Sequence, residues 1–344
     1  MNMVRKKVTM ADIADSLGVS KNSVSLALRG MDGVGSELRR LITGRAIQMG
    51  YGKVSALATQ VDACIAIIIP EYLHDDVFFY SEVLRTIGDE SASRGVNAIR
   101  VEITREMEES IKLPVIPMGL RVIGYLLVGI VSEPYYNVMR EMFKPLLSVD
   151  IPYSGLPYVG SSNLMGGRAA THFLIEQGHR QIGFIGPIYS AASVYERWCG
   201  YSLAMREADL PCENKYNVLG EKTFRLFDSE DVLAPFIEAM DHKFPTAWFC
   251  AGDRIAIELI HLLDHMGLRV PDDISVIGFD DLLAAQMVLP RLTTVRIDRK
   301  LIGKLAVQYF FDKNEDSAQV SKIVPFELIQ RDSVRRCEYA ERSV

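Results

Sequence analysis

The rhythm of apolar and polar positions changes along the 344 residues, and each change predicts a different kind of element. In the first fifty residues the spacing is helical. Met10, Ile13, Ala14 and Leu17 fall at i, i+3, i+4 and i+7, one face of a short amphipathic helix. Thr9 stands where an N-cap belongs, Asp12 lies in a first turn that favours acid, and Gly18 is free to end the helix at positive φ. Ser20 then caps a second helix whose inward face is Val24, Ala27 and Leu28. A third starts at Ser36 and carries Leu38, Leu41, Ile42, Ala46, Ile47 and Met49 before Gly50-Tyr51 closes it. The first two helices, joined by a turn of about 3–4 residues containing glycine, have the form of a helix-turn-helix, and the three together predict a small all-α headpiece over residues 1–52.

Residues 53–61 (K-V-S-A-L-A-T-Q-V) hold too few apolar side chains for a core and read as a linker. From Cys64 the rhythm changes. C-I-A-I-I-I-P is a continuous apolar run, as expected of a strand covered on both faces of a parallel sheet. A helix over 78–94 follows, then strands over 98–103, 122–128 and 146–149. A second set adds helices over 166–176, 195–208 and 255–266 and strands near 182–186, 247–251 and 274–279. This alternation predicts an α/β core of two parallel-sheet lobes, with a ligand cleft at the carboxyl ends of the strands.

Composition narrows the function. Apolar residues make up 49% and charged residues 24%, the balance of a globular protein. No uncharged apolar run reaches the roughly 18 residues of a membrane span, and Arg5-Lys6-Lys7 leads into an amphipathic helix rather than a signal sequence, so no membrane partner is expected. Five scattered cysteines without C-x-x-C spacing suit reduced thiols and a cytoplasmic location. The net charge of −6 is unevenly spread: residues 1–53 hold nine Lys/Arg against four acids, a net of +5, which leaves −11 for the rest. A basic headpiece on an acidic body concentrates the attraction for phosphate at one end.

The outward face of the second helix offers Lys21, Asn22, Ser23, Ser25 and Leu26, with Thr9 and Ser20 at the caps, as groups for phosphates and base edges of double-stranded DNA. The alternative is a helical hairpin with a solvated face. Catalytic patterns are missing: there is no G-x-S-x-G elbow, P-loop, H-E-x-x-H or dinucleotide glycine fingerprint. His261 and His265 share a helix face, but the companion Glu and a third ligand are absent. Asp280 and Asp281, adjacent at a strand end, point in opposite directions. No catalytic residue, cofactor or metal is therefore expected.

The segments V-T-M-A-D-I-A-D-S-L-G-V-S-K-N-S-V-S-L-A-L, V-G-S-E-L-R and M-G-Y resemble the headpiece of the lac repressor/galactose repressor family. The resemblance continues in order through G-H-R-Q-I-G-F-I-G-P, S-V-Y-E-R-W-C-G-Y, I-S-V-I-G-F-D-D, L-T-T-V-R-I-D and P-F-E-L-I-Q-R-D-S, covering about residues 8–333. It implies a ligand-responsive transcriptional regulator, a repressor, that binds a palindromic operator as a homodimer. The alternative is a cytosolic solute sensor with a degenerate headpiece. The implied core spans 62–333 and is similar to periplasmic binding proteins, with a first lobe of 62–160 plus 291–322, a second of 161–290 plus 323–333, and a tail of 334–344. The chain would cross between lobes near Gly160, Pro290 and Ile323, and the tail lacks the heptads of a tetramerising coil. Leu57 would be the minor-groove wedge of a hinge helix, although the Pro and Asn usual after the tyrosine are missing and the spacing is short; a flexible tether is the alternative. By the same resemblance the effector would meet Arg197, Asp280, the aromatic Phe78 and Phe79, Asn163, and Gly252, which replaces an Asn. Arg197 in a surface ion pair and the two phenylalanines in the core are the alternatives. The implied effector is sugar-like rather than a nucleoside or purine.

Overall fold

The structure, a computed structural model, describes residues 8–29, 31, 33–49, 51, 63–73, 78–117, 120–212, 214–220, 230–241, 243–312 and 321–337. In the headpiece, α1 (Met10–Leu17), α2 (Lys21–Arg29) and α3 (Ser36–Gln48) form the expected triad. Thr9 and Asp12 make a reciprocal capping box: the Asp12 carboxylate accepts from the Thr9 amide at 2.7 Å, and the Asp12 amide donates to the Thr9 hydroxyl at 3.3 Å. Gly18 ends α1 at φ 66°, in the left-handed region. Ile13, Ala14, Val24, Ala27, Leu28, Ile42 and Ala46 form the core, with Leu38 and Met49 packed against it. Leu41 was expected in this core but is 54% exposed. The inward stripe of α3 steps through Leu38, Ile42 and Ala46 at intervals of four, and Leu41 sits one residue off it. Arg45 Nε donates to Ser16 Oγ at 3.3 Å, tying α3 to α1.

The core follows from β1 (Ala63–Pro70), α4 (Phe79–Ser93), β2 (Asn97–Ile103), α5 (Arg105–Glu109), β3 (Arg121–Val128), α6 (Glu133–Met142), β4 (Leu146–Val149) and β5 (Tyr158–Ser161). Then come α7 (Asn163–Glu176), β6 (Ile182–Ile185), α8 (Ala192–Glu207), α9 (Glu230–Glu238), β7 (Ala247–Cys250), α10 (Asp253–His265), β8 (Ser275–Asp280), α11 (Leu283–Met287), β9 (Thr293–Ile297), α12 (Arg299–Gln308), β10 (Lys322–Val324) and β11 (Phe326–Ile329). Among the described residues these build two sheets, ordered β10-β5-β4-β3-β1-β2 and β11-β9-β8-β7-β6. Seven of the eight β1 residues are buried, as its uninterrupted apolar run predicts. In the first sheet β1 with β2, β3 with β4, β4 with β5 and β10 with β5 pair in parallel; in the second, only β11 runs antiparallel, against β9.

Strand pairing moves two of the expected lobe boundaries. Pro290 only interrupts a loop: β9 pairs with β8 from Ile277↔Thr293 to Asp280↔Arg296, so residues 291–297 stay in the second lobe and the crossing falls at Asp298. Thr293, Val295 and Ile297 are buried there, which fixes the register. Ile323 pairs with Gly160 in the first sheet, so the last crossing follows Val324. The first crossing falls at Ser162, between β5 and α7, close to the expected Gly160.

Two glycines set the packing of α7 against α8. A β-carbon at Gly167 would stand 2.5 Å from the Arg197 carbonyl oxygen, and one at Gly200 would stand 2.1 Å from that of Leu164. The backbones therefore touch, and α8 is held at a fixed height on α7. We predict that Gly200→Ala forces the helices apart and lowers stability by about 1–3 kcal/mol in urea unfolding. An unchanged unfolding midpoint would contradict this close approach.

Candidate functional site

In the headpiece, Lys21 and Asn22 open α2 and are exposed. Ser20 caps the helix: its hydroxyl accepts from the Ser23 amide at 3.0 Å and lies 2.8 Å from the Ser23 hydroxyl. The Thr9 hydroxyl donates to Asp12 at 2.7 Å. Ser25 and Leu26 are half-buried, and Leu26 Cδ1 lies 3.5 Å from where a β-carbon of Gly33 would stand. The candidate DNA-facing residues thus divide into an exposed pair, Lys21 and Asn22, and a capping set that fixes the helix start. Leu57 and the rest of 53–61 lie outside the described residues.

In the core, a cavity of about 160 Å³ is lined by Phe78 and Phe79 from the start of α4, Arg197 from α8, Gly252, Asp253 and Arg254 from the start of α10, and Asp280 from the end of β8. It opens where strands β7 and β8 end, at the place the crevice rule for open α/β sheets assigns to ligands. Five expected effector residues therefore meet in one place. Asn163 does not line the cavity: it is buried at the start of α7, and its Oδ1 accepts from Arg197 Nε at 3.0 Å.

Arg197 is the centre of the arrangement, 6% exposed and so no surface ion pair. Its Nη2 donates to Asp280 Oδ1 at 3.0 Å and its Nη1 to the Ala251 carbonyl at 2.5 Å. Its guanidinium carbon lies 3.8 Å from the centroid of the Phe279 ring. Phe78 is 38% exposed rather than part of the core, and the Arg254 guanidinium lies over its ring at 4.4 Å. Gly252 contributes no side chain; a β-carbon there would stand 3.5 Å from Asp280 Oδ2. Beneath the cavity, buried Asp253 accepts from the Leu282 amide at 2.7 Å and the Thr294 hydroxyl at 2.5 Å. Asp281 turns the other way, to Arg296 at 2.7 Å and Arg331 at 2.5 Å. Asp280 and Asp281 have φ of 104° and 48°, a strained pair at a strand end.

Sequence reasoning missed several neighbours. Asp150, just after β4, is buried at φ 71°; its Oδ2 accepts from the Tyr80 hydroxyl at 2.9 Å, while Oδ1 has no hydrogen-bond partner among the described residues. Burial pushes its carboxyl above the usual range, opposed by the Arg197 charge and the Tyr80 hydroxyl. Asp280 is likewise pushed up by burial and pulled back by Arg197. Glu196, raised by burial, accepts from Asn163 Nδ2 at 3.2 Å. Arg299 pairs with Glu82 at 2.8 Å and donates to the backbone carbonyls of Asp280 and Asp281. An acid directly after an apolar strand run was the signal for Asp150, the same one that marks Asp280. Arg299 had no such mark.

The described residues contain no group of three His, Cys, Asp or Glu that could hold a metal and no helix long and apolar enough to cross a membrane. A helical headpiece joined to a two-lobed α/β core with a cleft is the architecture of a ligand-binding regulator. The profile of the periplasmic binding protein-like domain matches residues 171–334. The chain is 29% identical over 343 residues to the probable HTH-type transcriptional repressor ExuR of Bacillus subtilis (strain 168), covering 96% of this chain and 99% of the relative. It is 26% identical over 339 residues to the HTH-type transcriptional repressor PurR of Pectobacterium atrosepticum, covering 95% and 96%. A lac repressor dimer solved with operator and the anti-inducer ONPF superposes with a TM-score of 0.70 at 21% identity, covering 96% of this chain and all of that one. The chain is thus similar over nearly its whole length to HTH-type transcriptional repressors, and its fold is that of the lac repressor.

The buried carboxyl at 150 makes a signed prediction. A carboxyl raised in the fold holds its proton to higher pH than in the unfolded chain, so its contribution to stability is lost as pH rises above the ordinary Asp value. Asp150→Asn keeps an acceptor for Tyr80, tolerates the left-handed backbone and cannot ionise. Its stability relative to wild type should therefore rise between pH 4 and pH 7 in thermal melts. A difference that is flat or falls over that range would refute the assignment.

Proposed function

We propose that the protein is a ligand-responsive transcriptional repressor of the cytoplasm that binds a palindromic double-stranded operator as a homodimer and a small sugar-like molecule in the core cavity. The observation that carries this reading is the exposed, polar first turn of α2, capped by Ser20 and backed by a packed three-helix core. A helix so presented offers Lys21 to phosphate and Asn22 to a base edge. Relatives named as HTH-type repressors, matched over nearly the full length, support the same reading. Leu283 and Met287, one turn apart on α11, and Leu289 just beyond it are exposed apolar side chains that suit a contact with a second copy. Two headpieces in a dimer would then read two half-sites.

The cavity supports the ligand half of the proposal. Asp280 accepts hydrogen bonds, Arg197 donates them, and Phe78 and Phe79 offer ring faces, a set matched to a hydroxylated ring. Arg299 reaches from the first residue of α12 to the Asp280 carbonyl, so ligand at the cavity would bias how the two lobes meet. The ligand changes DNA affinity only by its differential affinity for the two states.

Selection of bound fragments from random DNA with the full-length chain should return an inverted repeat with half-sites centred about one helical turn apart. Asn22→Ala should cost about 1–3 kcal/mol and relax base preference, whereas Lys21→Ala should weaken all sites alike and reduce the salt slope by about 1. Recovery of no common sequence, or binding indifferent to salt, would overturn the proposal.

A further inference from the structure

Leu26 is the one apolar side chain of α2 that does not turn inward. Val24, Ala27 and Leu28 are buried in the headpiece core, and Leu26 is neither in that core nor among the described apolar residues packed against it. Helical spacing puts it on the opposite side of α2, one turn beyond the exposed Asn22. A lone surface leucine is ordinary, but this one is braced. The loop that leads to α3 passes beside it, with Leu26 Cδ1 at 3.5 Å from where a β-carbon of Gly33 would stand and Gly33 itself at φ 106°. Arg39 holds that loop, its Nη2 donating to the Met31 carbonyl at 2.6 Å. The bracing contact is with a glycine, so it steadies the leucine while covering little of it. Arg29, the long side chain at the end of the same face, turns back, its Nε donating to the Ser25 carbonyl at 3.2 Å.

We propose, resting on the operator reading above, that Leu26 reads the 5-methyl group of a thymine in each half-site. The base edges in the major groove present hydrogen-bond donors and acceptors, and the thymine methyl is the one apolar group among them. A face that carries both an amide and a leucine is therefore matched to a mixed sequence: Asn22 to an adenine edge, which an amide meets with two hydrogen bonds, and Leu26 to a methyl. Four residues of helix rise about 6 Å, against about 3.4 Å per base pair. The thymine thus lies one or two base pairs from the one read by Asn22. Because the Gly33 loop steadies the side chain before binding, little rotamer freedom is lost on contact.

The test uses the full-length chain and the operator recovered from random DNA, with each thymine replaced in turn by deoxyuridine. That exchange removes the methyl group and keeps the pairing edge. One thymine in each half-site, one or two base pairs from the pair whose preference Asn22→Ala relaxes, should lose about fourfold in affinity, the loss expected for one buried methyl group. Leu26→Ala should bring the thymine-to-deoxyuridine ratio at that position near one while leaving the preference set by Asn22. Leu26→Met, which keeps an apolar tip, should retain most of the ratio. Leu26 lies outside the headpiece core, so both variants should melt as wild type does, and the deoxyuridine scan of wild type needs no variant at all. No sensitive thymine at that spacing, or a sensitivity that survives Leu26→Ala, overturns the inference and leaves the operator reading standing. Recovery of no common sequence overturns both.

Discussion

The core depends on a buried guanidinium. Arg197 is nearly sealed from water, and a charge in that position is tolerable only when its N–H groups and its charge are answered within the protein. The answers come from four groups on three elements: Asn163 on α7, the Ala251 carbonyl after β7, the Phe279 ring in β8 and the Asp280 carboxylate at its end. Any element that shifts leaves part of the charge unpaired, which makes the second lobe rigid around the cavity. Gly167 and Gly200 belong to the same constraint, because they let α8 approach α7 closely enough for Arg197 Nε to reach Asn163. The strained backbone at Asp280 follows too, since the carboxylate must turn back from its strand to meet the guanidinium.

Arg299 carries this constraint across the lobe crossing. It follows the crossing at Asp298, pairs with Glu82 on α4 of the first lobe, and donates to backbone carbonyls at the end of β8 in the second. Asp280 is therefore held from two sides, by Arg197 through its side chain and by Arg299 through its carbonyl. A ligand that competes for the Asp280 carbonyl acts on a bond between lobes, whereas one that competes for its carboxylate acts on a bond within the second lobe. That gives a physical route for a differential affinity between lobe arrangements, the quantity any ligand-driven switch requires. Asp150 adds a second link, because its charge in the first lobe is felt by Arg197 in the second.

Legibility in the sequence follows from how local each signal is. The headpiece was readable because caps, glycine and a 3.6-residue period act within a few residues: Thr9, Gly18 and Ser20 do what their types predict. Leu41 misled because apolar content alone does not fix phase. The long buried strands were readable from apolar runs, whereas β5 and β9–β11, of three to five residues, take their place from pairing rather than pattern. The crossing near Pro290 was expected from the family resemblance, yet the strand beyond it pairs back into the same sheet. Five of the six expected effector residues line the cavity, and two of them, Arg197 and Asp280, sit in motifs that carry the family resemblance. Asp150, Glu196 and Arg299 escaped because their contacts exist only once separate segments are brought together, and Asn163 lies beside Arg197 rather than on the cavity wall.

Charge explains why so small a core event could govern so large a partner. The net of +5 in residues 1–53 faces −11 in the remainder, so the body opposes a polyanion while the headpiece attracts it. On the proposed reading, DNA affinity would rest on a few contacts from α2 and its surroundings rather than on a broad basic surface. Each phosphate contact contributes through counterion release and is lost if its side chain moves out of register. When the favourable terms are few, a coupling of about 1–3 kcal/mol, the usual range between two sites, is a large fraction of the discrimination between operator and bulk DNA. A uniformly basic protein would stay bound to DNA through such a change. The opposed charges of this chain make its hold on an operator conditional, which is the property a ligand-controlled repressor needs.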